Sequence, residues 1–463
     1  MFVKSKKHNP NYLAQIVEIT TFTPHPNADK MKLAYVGGYA VCVGINEQPG
    51  KYIYFPTNCT INPNILSFGC LYRHGELNAN PEKTGFFNDN GRVTAIRLRG
   101  VPSEGFLMPV AEFQAFIQQE LNLQLKDSDF VPGTEFDTFE YKDKSFWVNK
   151  KYIVQKGFSN GNRGTDSRNK RLKAFDRVDE TQFSFHYDTT NVKKEPWCVN
   201  PNDLISITGK WHGTSHISAY VLCYREMTFF RKVANLFQGL PWNSQHRTYD
   251  YLYASRSVIK NQYINKGVKP GFYGCDVWEH ADKVIRPLLT AGMTVYAEIV
   301  GYTPNGGHIQ KTTDVYDYGC VPPVENEPYT YNKHFKVVIY RITITNVDGI
   351  KHEFSAREVQ QWCFKHGLDP VKEYYYGLAK DLYPDLDPVD PNWNTLFWER
   401  MSNDKKFYME MDSPDCVNKV PHEGVVIKVE DMVPRAWKLK SFAFLNGEQK
   451  QLDAGESNIE DEN

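Results

Sequence analysis

The sequence predicts an α+β protein in which a small β-barrel precedes a larger domain of antiparallel β-sheets flanked by helices. Residues 11–125 are short strand-like runs separated by turns, with a two-residue hairpin signal at Gly37-Gly38. From about 200 to 445, strand-like runs alternate with helical ones. An aromatic share of 14% also favours strands, because Tyr and Phe fit a pleated surface.

Changes in composition divide the 463 residues into four predicted parts. These are a β-barrel over 1–125, a linker and lead-in over 126–200, the main domain over 201–446, and a disordered acidic tail over 447–463. Within the linker, the glycine-, asparagine- and arginine-rich segment 159–173 predicts a mobile basic loop. Such a loop is either solvated or in contact with a phosphate backbone.

The predicted elements follow from the spacing of apolar residues. In the first part, alternation and turn residues predict strands over 13–21, 32–36, 39–44, 51–55 and 92–98, and a helix over 110–121. In the main domain, the same criteria predict strands over 204–208, 217–223, 293–300, 335–345, 424–429 and 436–444, and helices over 225–238, 276–289 and 355–366.

Composition excludes several classes of protein. The net charge of −1 provides no global attraction for nucleic acid, so any nucleic-acid surface must be local. The nine cysteines include no C-x-x-C pair, which argues against a zinc knuckle or a disulfide framework and for a reducing, cytoplasmic compartment. The polar N-terminus and the lack of any 18-residue apolar run argue against secretion and membrane spanning.

A lysine at the end of a strand-like run is the first candidate for chemistry. Lys210 follows Thr208 and Gly209 and precedes His212-Gly213. By itself, such a lysine is either a surface cation or a nucleophile.

Later strands supply what a lysine nucleophile needs. Glu298 and Glu423 are single carboxylates in or beside apolar strands, and Lys428 ends the second of these strands. Lys438 and Lys440 share one strand face by the period of two. Tyr340, in an aliphatic strand, is either a stacking residue or a core aromatic.

These segments, in this order, resemble the covalent nucleotidyltransferase superfamily of ATP-dependent DNA and RNA ligases and mRNA capping enzymes. The resemblance rests on six ordered motifs: Lys210-Trp211-His212-Gly213 (motif I), Tyr253-Ala254-Ser255-Arg256-Ser257 (Ia), Ala297-Glu298-Ile299-Val300-Gly301 (III), Val338-Ile339-Tyr340-Arg341-Ile342 (IIIa), Glu423 to Lys428 (IV) and Trp437 to Lys440 (V). The chain departs from the usual pattern at His212, where an Asp is common, and at Arg341, where many relatives have an acidic residue.

The first part resembles the N-terminal OB-like module that precedes the catalytic domain in one family of RNA-repair ligases. The resemblance rests on 23–30, the hairpin at Gly37-Gly38 and 96–105. DNA ligases and capping enzymes generally carry their OB domain after motif V, where this chain has only about 20 residues. This order therefore favours an RNA ligase. Arg92, Arg97, Arg99 and Lys51 are candidate RNA contacts, unless the barrel only braces the catalytic domain.

The resemblance implies an RNA ligase that joins 3′-hydroxyl and 5′-phosphate ends, with lysyl-AMP and RNA-adenylate as intermediates. Lys210 is the expected nucleophile, and Lys438 and Lys440 are expected to hold the α-phosphate of ATP. Glu298 and Glu423 are expected to hold Mg²⁺ or Mn²⁺, unless one of them instead binds the ribose hydroxyls. A free lysine has a pKa near 10.4, so a neutral amine near neutral pH costs about 4 kcal/mol. The cations Lys428, Lys438 and Lys440 would offset this cost.

The remaining expected ATP contacts have open alternatives. Thr208, Gly213 and Lys428 are expected beside the nucleotide. Arg256 is expected at the ribose or a terminal phosphate, or else is a surface charge. His212 is expected at the site, or else is a structural histidine.

The expected partner is RNA, as a nicked duplex or broken ends, bound by a monomer that repairs RNA in the cytoplasm of a cell or of an infected host. A DNA nick ligase and an mRNA guanylyltransferase are rival enzymes. A non-catalytic RNA-binding protein of OB type is the rival from another class.

Overall fold

Antiparallel strands dominate the structure, a computed structural model that describes residues 1–6, 8–153, 178–187, 189–225, 228–242, 244–260, 273–310 and 314–454. Contacts divide the chain into two units. The first spans Met1–Gln155, Thr190–Cys198 and Glu448–Gly455, and the second spans Lys156–Thr189, Val199–Gly447 and Glu456–Asn463. Among the described residues, every helix is too short or too polar to cross a membrane.

Among its described residues, the first unit has mainly short strands and two α-helices that lie wholly within it. The strands are β1 Phe2–Val3, β2 Ala14–Ile19, β3 Thr23–Pro24, β4 Met31–Val36, β5 Tyr39–Gly44, β6 Gly50–Phe55, β7 Cys59–Ile61, β8 Ala95–Leu98, β9 Val101–Glu104, β10 Phe106–Pro109, β11 Glu135–Phe136, β12 Thr138–Tyr141, β13 Lys144–Trp147, β14 Asn149–Lys151 and β15 Thr190–Asn191. The helices are α1 Pro63–Phe68 and α2 Val110–Leu121.

Alternating apolar residues build the core of this unit. The largest sheet has the order β10-β6-β2-β11, and β3-β4-β5, β1-β12-β13, β7-β14 and β8-β9 form smaller sheets. Ile16, Ile53 and Phe55 of the largest sheet are buried against Phe113 of α2. The strand pairings of the described residues close none of these sheets, so the expected OB-like barrel is not confirmed.

The second unit contains longer strands and more helices. The strands are β16 Leu204–Gly209, β17 Thr214–Tyr224, β18 Arg247–Ala254, β19 Met293–Gly301, β20 Phe335–Thr345, β21 Lys351–Glu353, β22 Asp369–Pro370, β23 Glu373–Leu378, β24 Gly424–Val429 and β25 Arg435–Lys440. The helices are α3 Phe229–Phe237, α4 Val277–Ile285, α5 Ala356–His366, α6 Ala379–Leu382, α7 Trp393–Ser402 and α8 Phe442–Asp453, the last of which ends outside this unit.

Two antiparallel sheets organise the second unit. One has the order β25-β24-β16-β23, and the other has the order β18-β17-β19-β20-β21, with β22 parallel to β20. The second sheet buries Ile299 and Ile339 against Trp278 of α4. The predicted α+β class with antiparallel sheets and flanking helices is therefore confirmed.

The structure adds detail to the predicted organisation in three places. Within the predicted linker and lead-in, 135–151 contains β11 to β14. The strand predicted over 436–444 ends at Lys440, where α8 soon follows, and α8 extends through 447–453 of the predicted disordered tail. The predicted basic loop over 159–173 lies outside the described residues, as does the chain after 454.

Candidate active site

Lys210 lies directly after β16, and the neighbouring strand fixes its backbone. Gly209 pairs with Val425 of β24, and the Lys210 N–H donates to the carbonyl oxygen of Gly424 at 3.0 Å. Glu423, which precedes β24, thereby comes next to Lys210. The Lys210 Nζ lies 2.6 Å from Glu423 Oε1, so the structure joins the first and fourth motifs directly.

Glu423 is shared by a second lysine. Lys440 is the register partner of Gly424, and its Nζ lies 3.7 Å from the same Oε1. His212 Nδ1 lies 3.9 Å from the other oxygen, Oε2. The Glu423 side chain is only 2% exposed. A buried carboxylate needs such partners to offset its desolvation.

A cavity opens beside Lys210 between the two sheets of the second unit. Alternate residues of β16, β24 and β25 line it because side chains on one face repeat every two residues; they are Ser206, Thr208, Val426, Lys428, Ala436, Lys438 and Lys440. The other sheet contributes Ser215, Glu298, Tyr340 and Arg341. The half-buried Arg256, just after β18, also lines the cavity.

The cavity thus brings together most of the residues expected to bind ATP. They are Thr208, Lys210, Gly213, Arg256, Glu298, Tyr340, Lys428, Lys438 and Lys440. His212 and Glu423 do not line the cavity but are buried beside Lys210.

Gly213 holds β17 tightly against β19. A Cβ atom at this position would lie 2.4 Å from the Ile299 carbonyl oxygen and 2.8 Å from Glu298 Cγ. Any side chain would therefore push Glu298 away, which gives a physical reason for glycine at this place.

His212 and Trp211 pack around Tyr318, a residue that the sequence analysis did not identify. The His212 N–H donates to the Tyr318 hydroxyl at 3.0 Å, and that hydroxyl donates to the His212 carbonyl oxygen at 3.2 Å. The Trp211 and Tyr318 rings stack with centroids 4.6 Å apart. Burial raises the pKa of Tyr318 well above its usual value, so the hydroxyl stays neutral. These contacts fix the backbone next to Lys210.

Tyr340 both packs against the core and lines the cavity. Its ring meets His186 edge-on at 5.1 Å, and it packs against the cluster that contains Ile217 and Tyr296. Burial, and then the nearby Glu298, raise the pKa of its hydroxyl. Both interpretations of Tyr340 are compatible with this position.

Lys428 lies in an ion network that the sequence did not reveal. Its Nζ donates to the Phe354 carbonyl oxygen at 2.5 Å and lies 3.3 Å from Glu353 and 3.6 Å from Glu430. Its charge is therefore already compensated by protein groups.

Other lining residues were not named as candidate contacts. Trp211, Arg341 and Val426 lie within the motifs, and those outside the motifs include His186, Tyr187, Thr189, Ser206, Gln310, Glu353, Ala356, Val371 and Ala436. For Ser206, Val426 and Ala436, counting in steps of two from Thr208, Lys428 and Lys438 would have found them.

The candidate RNA contacts of the first unit differ in exposure and pairing. Arg97 and Arg99 are exposed on the β8–β9 hairpin. Lys51 Nζ donates to Asp127 Oδ2 at 2.8 Å, so its charge is paired. Arg92, also a candidate, is 2% exposed and donates to Gln449, so its side chain is buried within the first unit.

Comparisons with known proteins gave structural neighbours only. No family model and no curated protein matches the sequence. Solved structures of Naegleria gruberi RNA ligase are similar in fold. A lysine-to-alanine variant with ATP and Mn is 15% identical, with a TM-score of 0.48, over 94% of this chain and 98% of that chain. The enzyme with PPi is 13% identical, with a TM-score of 0.49, over 95% of this chain and 99% of that chain. A glutamate-to-alanine variant with AMP and Mn is 15% identical, with a TM-score of 0.48, over 94% and 98%.

Proposed function

We propose that this chain is an ATP-dependent RNA ligase that acts through a lysyl-AMP formed on Lys210. One observation carries the proposal: the Lys210 amine, 2.6 Å from Glu423, lies at a cavity that Glu298, Lys438 and Lys440 also line. Cations suit the phosphates of a nucleotide, and carboxylates suit a divalent metal. An ordinary surface lysine is solvated and does not require a buried carboxylate and two further lysines beside it.

The reaction has three balanced steps. The Lys210 Nζ attacks the α-phosphorus of ATP, the bond to pyrophosphate breaks, and the amine proton is lost. An RNA 5′-phosphate oxygen then attacks the AMP phosphorus, and the phosphorus–nitrogen bond to Lys210 breaks as the amine regains a proton. Finally, an RNA 3′-hydroxyl attacks the activated 5′-phosphorus and AMP leaves.

The first step requires a neutral amine, and the ion pair with Glu423 opposes it. A carboxylate at 2.6 Å stabilises the ammonium form. Lys440, 3.7 Å from the same oxygen, is a second cation that compensates Glu423 when Lys210 loses its proton. The geometry therefore supports a mechanism in which Glu423 pairs with Lys210 before deprotonation and with Lys440 after it.

The residues present fit a divalent metal that binds together with the nucleotide. Within the described ranges, no three His, Cys, Asp or Glu side chains are grouped closely enough to hold a metal by themselves. Mg²⁺ commonly uses one or two carboxylates plus substrate phosphates, and Glu298 and Glu423 provide carboxylates. When bound, Mg²⁺ or Mn²⁺ would neutralise charge on the α-phosphate and the leaving pyrophosphate.

The first unit is the proposed RNA-docking module of OB-like type. Arg97 and Arg99 support this role because both are exposed on one hairpin. We further propose that the protein acts as a monomer on nicked or broken RNA in a cytoplasmic compartment.

Labelling with α-³²P-ATP tests the nucleophile. Wild type should form a labelled protein adduct, and Lys210→Ala should form none. Lys283→Ala is the matched control, since this exposed lysine pairs with Glu279 on α4. An adduct on Lys210→Ala would refute the assignment.

Sealing assays on a panel of nicked duplexes test the substrate. Faster sealing of an RNA 3′-hydroxyl strand than of a DNA strand supports an RNA ligase. The reverse preference indicates a DNA ligase, and labelling by GTP alone indicates a guanylyltransferase. Failure of both ATP and GTP to label the protein would support the non-catalytic RNA-binding alternative.

A further inference from the structure

A second polar cluster lies along the cavity from Lys210. Arg341 Nη2 and Nε approach Glu353 Oε2 at 2.7 and 2.9 Å, and Lys428 Nζ lies 3.3 Å from Glu353 Oε1. Lys428 stands four residues beyond Gly424 on β24, or about 13 Å at the rise of an extended strand. The cluster is therefore well separated from the Lys210–Glu423 pair.

Arg341 is held firmly but retains an unused donor. Its guanidinium lies 4.8 Å from the Tyr187 ring centroid and 4.5 Å from that of Tyr296. The residue is 8% exposed, and within the described part of the chain its Nη1 has no hydrogen-bond acceptor. A buried donor without an acceptor is costly. Since Arg341 also lines the cavity, a bound ligand could supply the acceptor that Nη1 lacks.

The charge of the cluster indicates which part of a nucleotide it suits. Arg341 and Lys428 are cations, and Glu353 and Glu430 are carboxylates that pair with them. The four charges cancel, so the cluster does not offer the excess positive charge that phosphates favour. A neutral base edge, which carries hydrogen-bond acceptors, matches it better.

The neighbouring residues place a base at this end of the cavity. Tyr340 directly precedes Arg341, Val426 lies two residues before Lys428, and both line the cavity. A base packed against these side chains would present its edge to Arg341. We propose, on the basis of the proposed function, that Arg341 is a specificity-determining residue whose Nη1 donates to a ring nitrogen of the purine. Glu353 positions its guanidinium.

Deaza analogues of ATP test this hydrogen bond atom by atom. Equilibrium binding of ATP and of 1-, 3- and 7-deaza-ATP is measured on the Lys210→Ala chain, in which the proposed chemistry cannot proceed. With Arg341 intact, one analogue should bind about tenfold to a hundredfold more weakly than ATP. Adding Arg341→Met should weaken ATP binding by a similar factor and remove the difference between ATP and that analogue.

Arg357→Met is the matched control, because Arg357 also stacks on a tyrosine, Tyr376 at 4.0 Å, but does not line the cavity. It should retain the discrimination between analogues. Glu353→Gln, which keeps the shape but loses the charge, should reduce the discrimination only partly.

Other results would contradict the proposed role of Arg341. The inference is overturned when the Lys210→Ala chain with Arg341 intact binds ATP and all three analogues equally. It is also overturned when Arg341→Met weakens the binding of ATP and of every analogue by the same factor. Absence of nucleotide binding overturns it too. A wild-type protein that binds ATP more tightly than one deaza analogue but forms no labelled adduct would refute the ligase function and leave the role of Arg341 intact.

Discussion

Glu423 is the residue on which the proposed chemistry depends most. Its Oε1 lies 2.6 Å from Lys210 Nζ and 3.7 Å from Lys440 Nζ. Glu423→Gln would ease deprotonation of Lys210, but it would remove the carboxylate that positions the Lys210 amine and that is proposed to bind the metal. We expect adduct formation from labelled ATP to slow by about a hundredfold or more. Glu327→Gln, which removes the carboxylate that pairs with Lys333, is the control. A wild-type rate in Glu423→Gln would remove this residue from the mechanism.

Substitution of Gly213 tests whether the chain after Lys210 must pack directly against β19. In Gly213→Ala, the new methyl group would lie 2.4 Å from the Ile299 carbonyl oxygen, so the strands must separate. We expect the free energy of unfolding to fall by about 1–3 kcal/mol, and adduct formation to slow because Glu298 moves. Thermal unfolding and labelling measure the two effects. Gly307→Ala should change neither, because a Cβ there meets only Thr303 Oγ1, at 3.4 Å.

At the scale of elements, a buried histidine joins β17 to α4. His216 Nε2 lies 2.8 Å from Ser218 Oγ, and Ser218 donates to Asp282 Oδ1 at 2.7 Å. Burial lowers the pKa of His216 to about 3. Between about pH 3 and about pH 6.5, the unfolded chain therefore binds a proton at this residue that the folded chain does not bind. Stability consequently falls as the pH falls below about 6.5.

The expected loss from His216 at pH 5 is about 2 kcal/mol relative to pH 7.5, since one pKa unit corresponds to about 1.4 kcal/mol. Urea unfolding at the two pH values measures it. His216→Gln removes the titrating group, so its free energy of unfolding should fall less between pH 7.5 and pH 5. Parallel losses in wild type and variant would contradict the prediction.

The elements that the sequence predicted well carry a regular apolar pattern. The strands predicted over 335–345 and 424–429 coincide with β20 and β24, and the predicted helix 355–366 nearly coincides with α5. The strand predicted over 436–444 ran too far because Ser441 ends it. The Ser441 hydroxyl accepts from the Phe444 N–H at 3.2 Å and so caps α8, a signal that apolar spacing does not contain.

The candidate site was predictable only in part, for a related reason. The sequence analysis named Lys210 and Glu423, which the structure places in contact, but it did not reveal that Glu353 of β21 pairs with Lys428. Tyr318 likewise reaches His212 across 106 residues of chain. Contacts between residues so distant depend on packing, which local spacing does not specify.

At the scale of the whole molecule, the proposed function places adenylation in the second unit and RNA docking in the first. Local charge in the first unit was only partly predictable. Arg97 and Arg99 are exposed on the β8–β9 hairpin, whereas Lys51 is paired with Asp127. Whether a basic residue can meet a phosphate depends on such partners, and its position in the sequence does not reveal them.

The double variant Arg97→Ala/Arg99→Ala tests this division of labour. Each arginine that contacts a phosphate releases about one counterion, so the slope of log affinity against log salt should become shallower by roughly 1.5. Sealing of nicked RNA should weaken most at low RNA concentration, while adduct formation with labelled ATP stays at the wild-type rate. Lys51→Ala is the matched control and should alter the salt slope little, because its charge already serves Asp127. Equal salt slopes for the double variant and wild type would show that RNA does not bind at this hairpin.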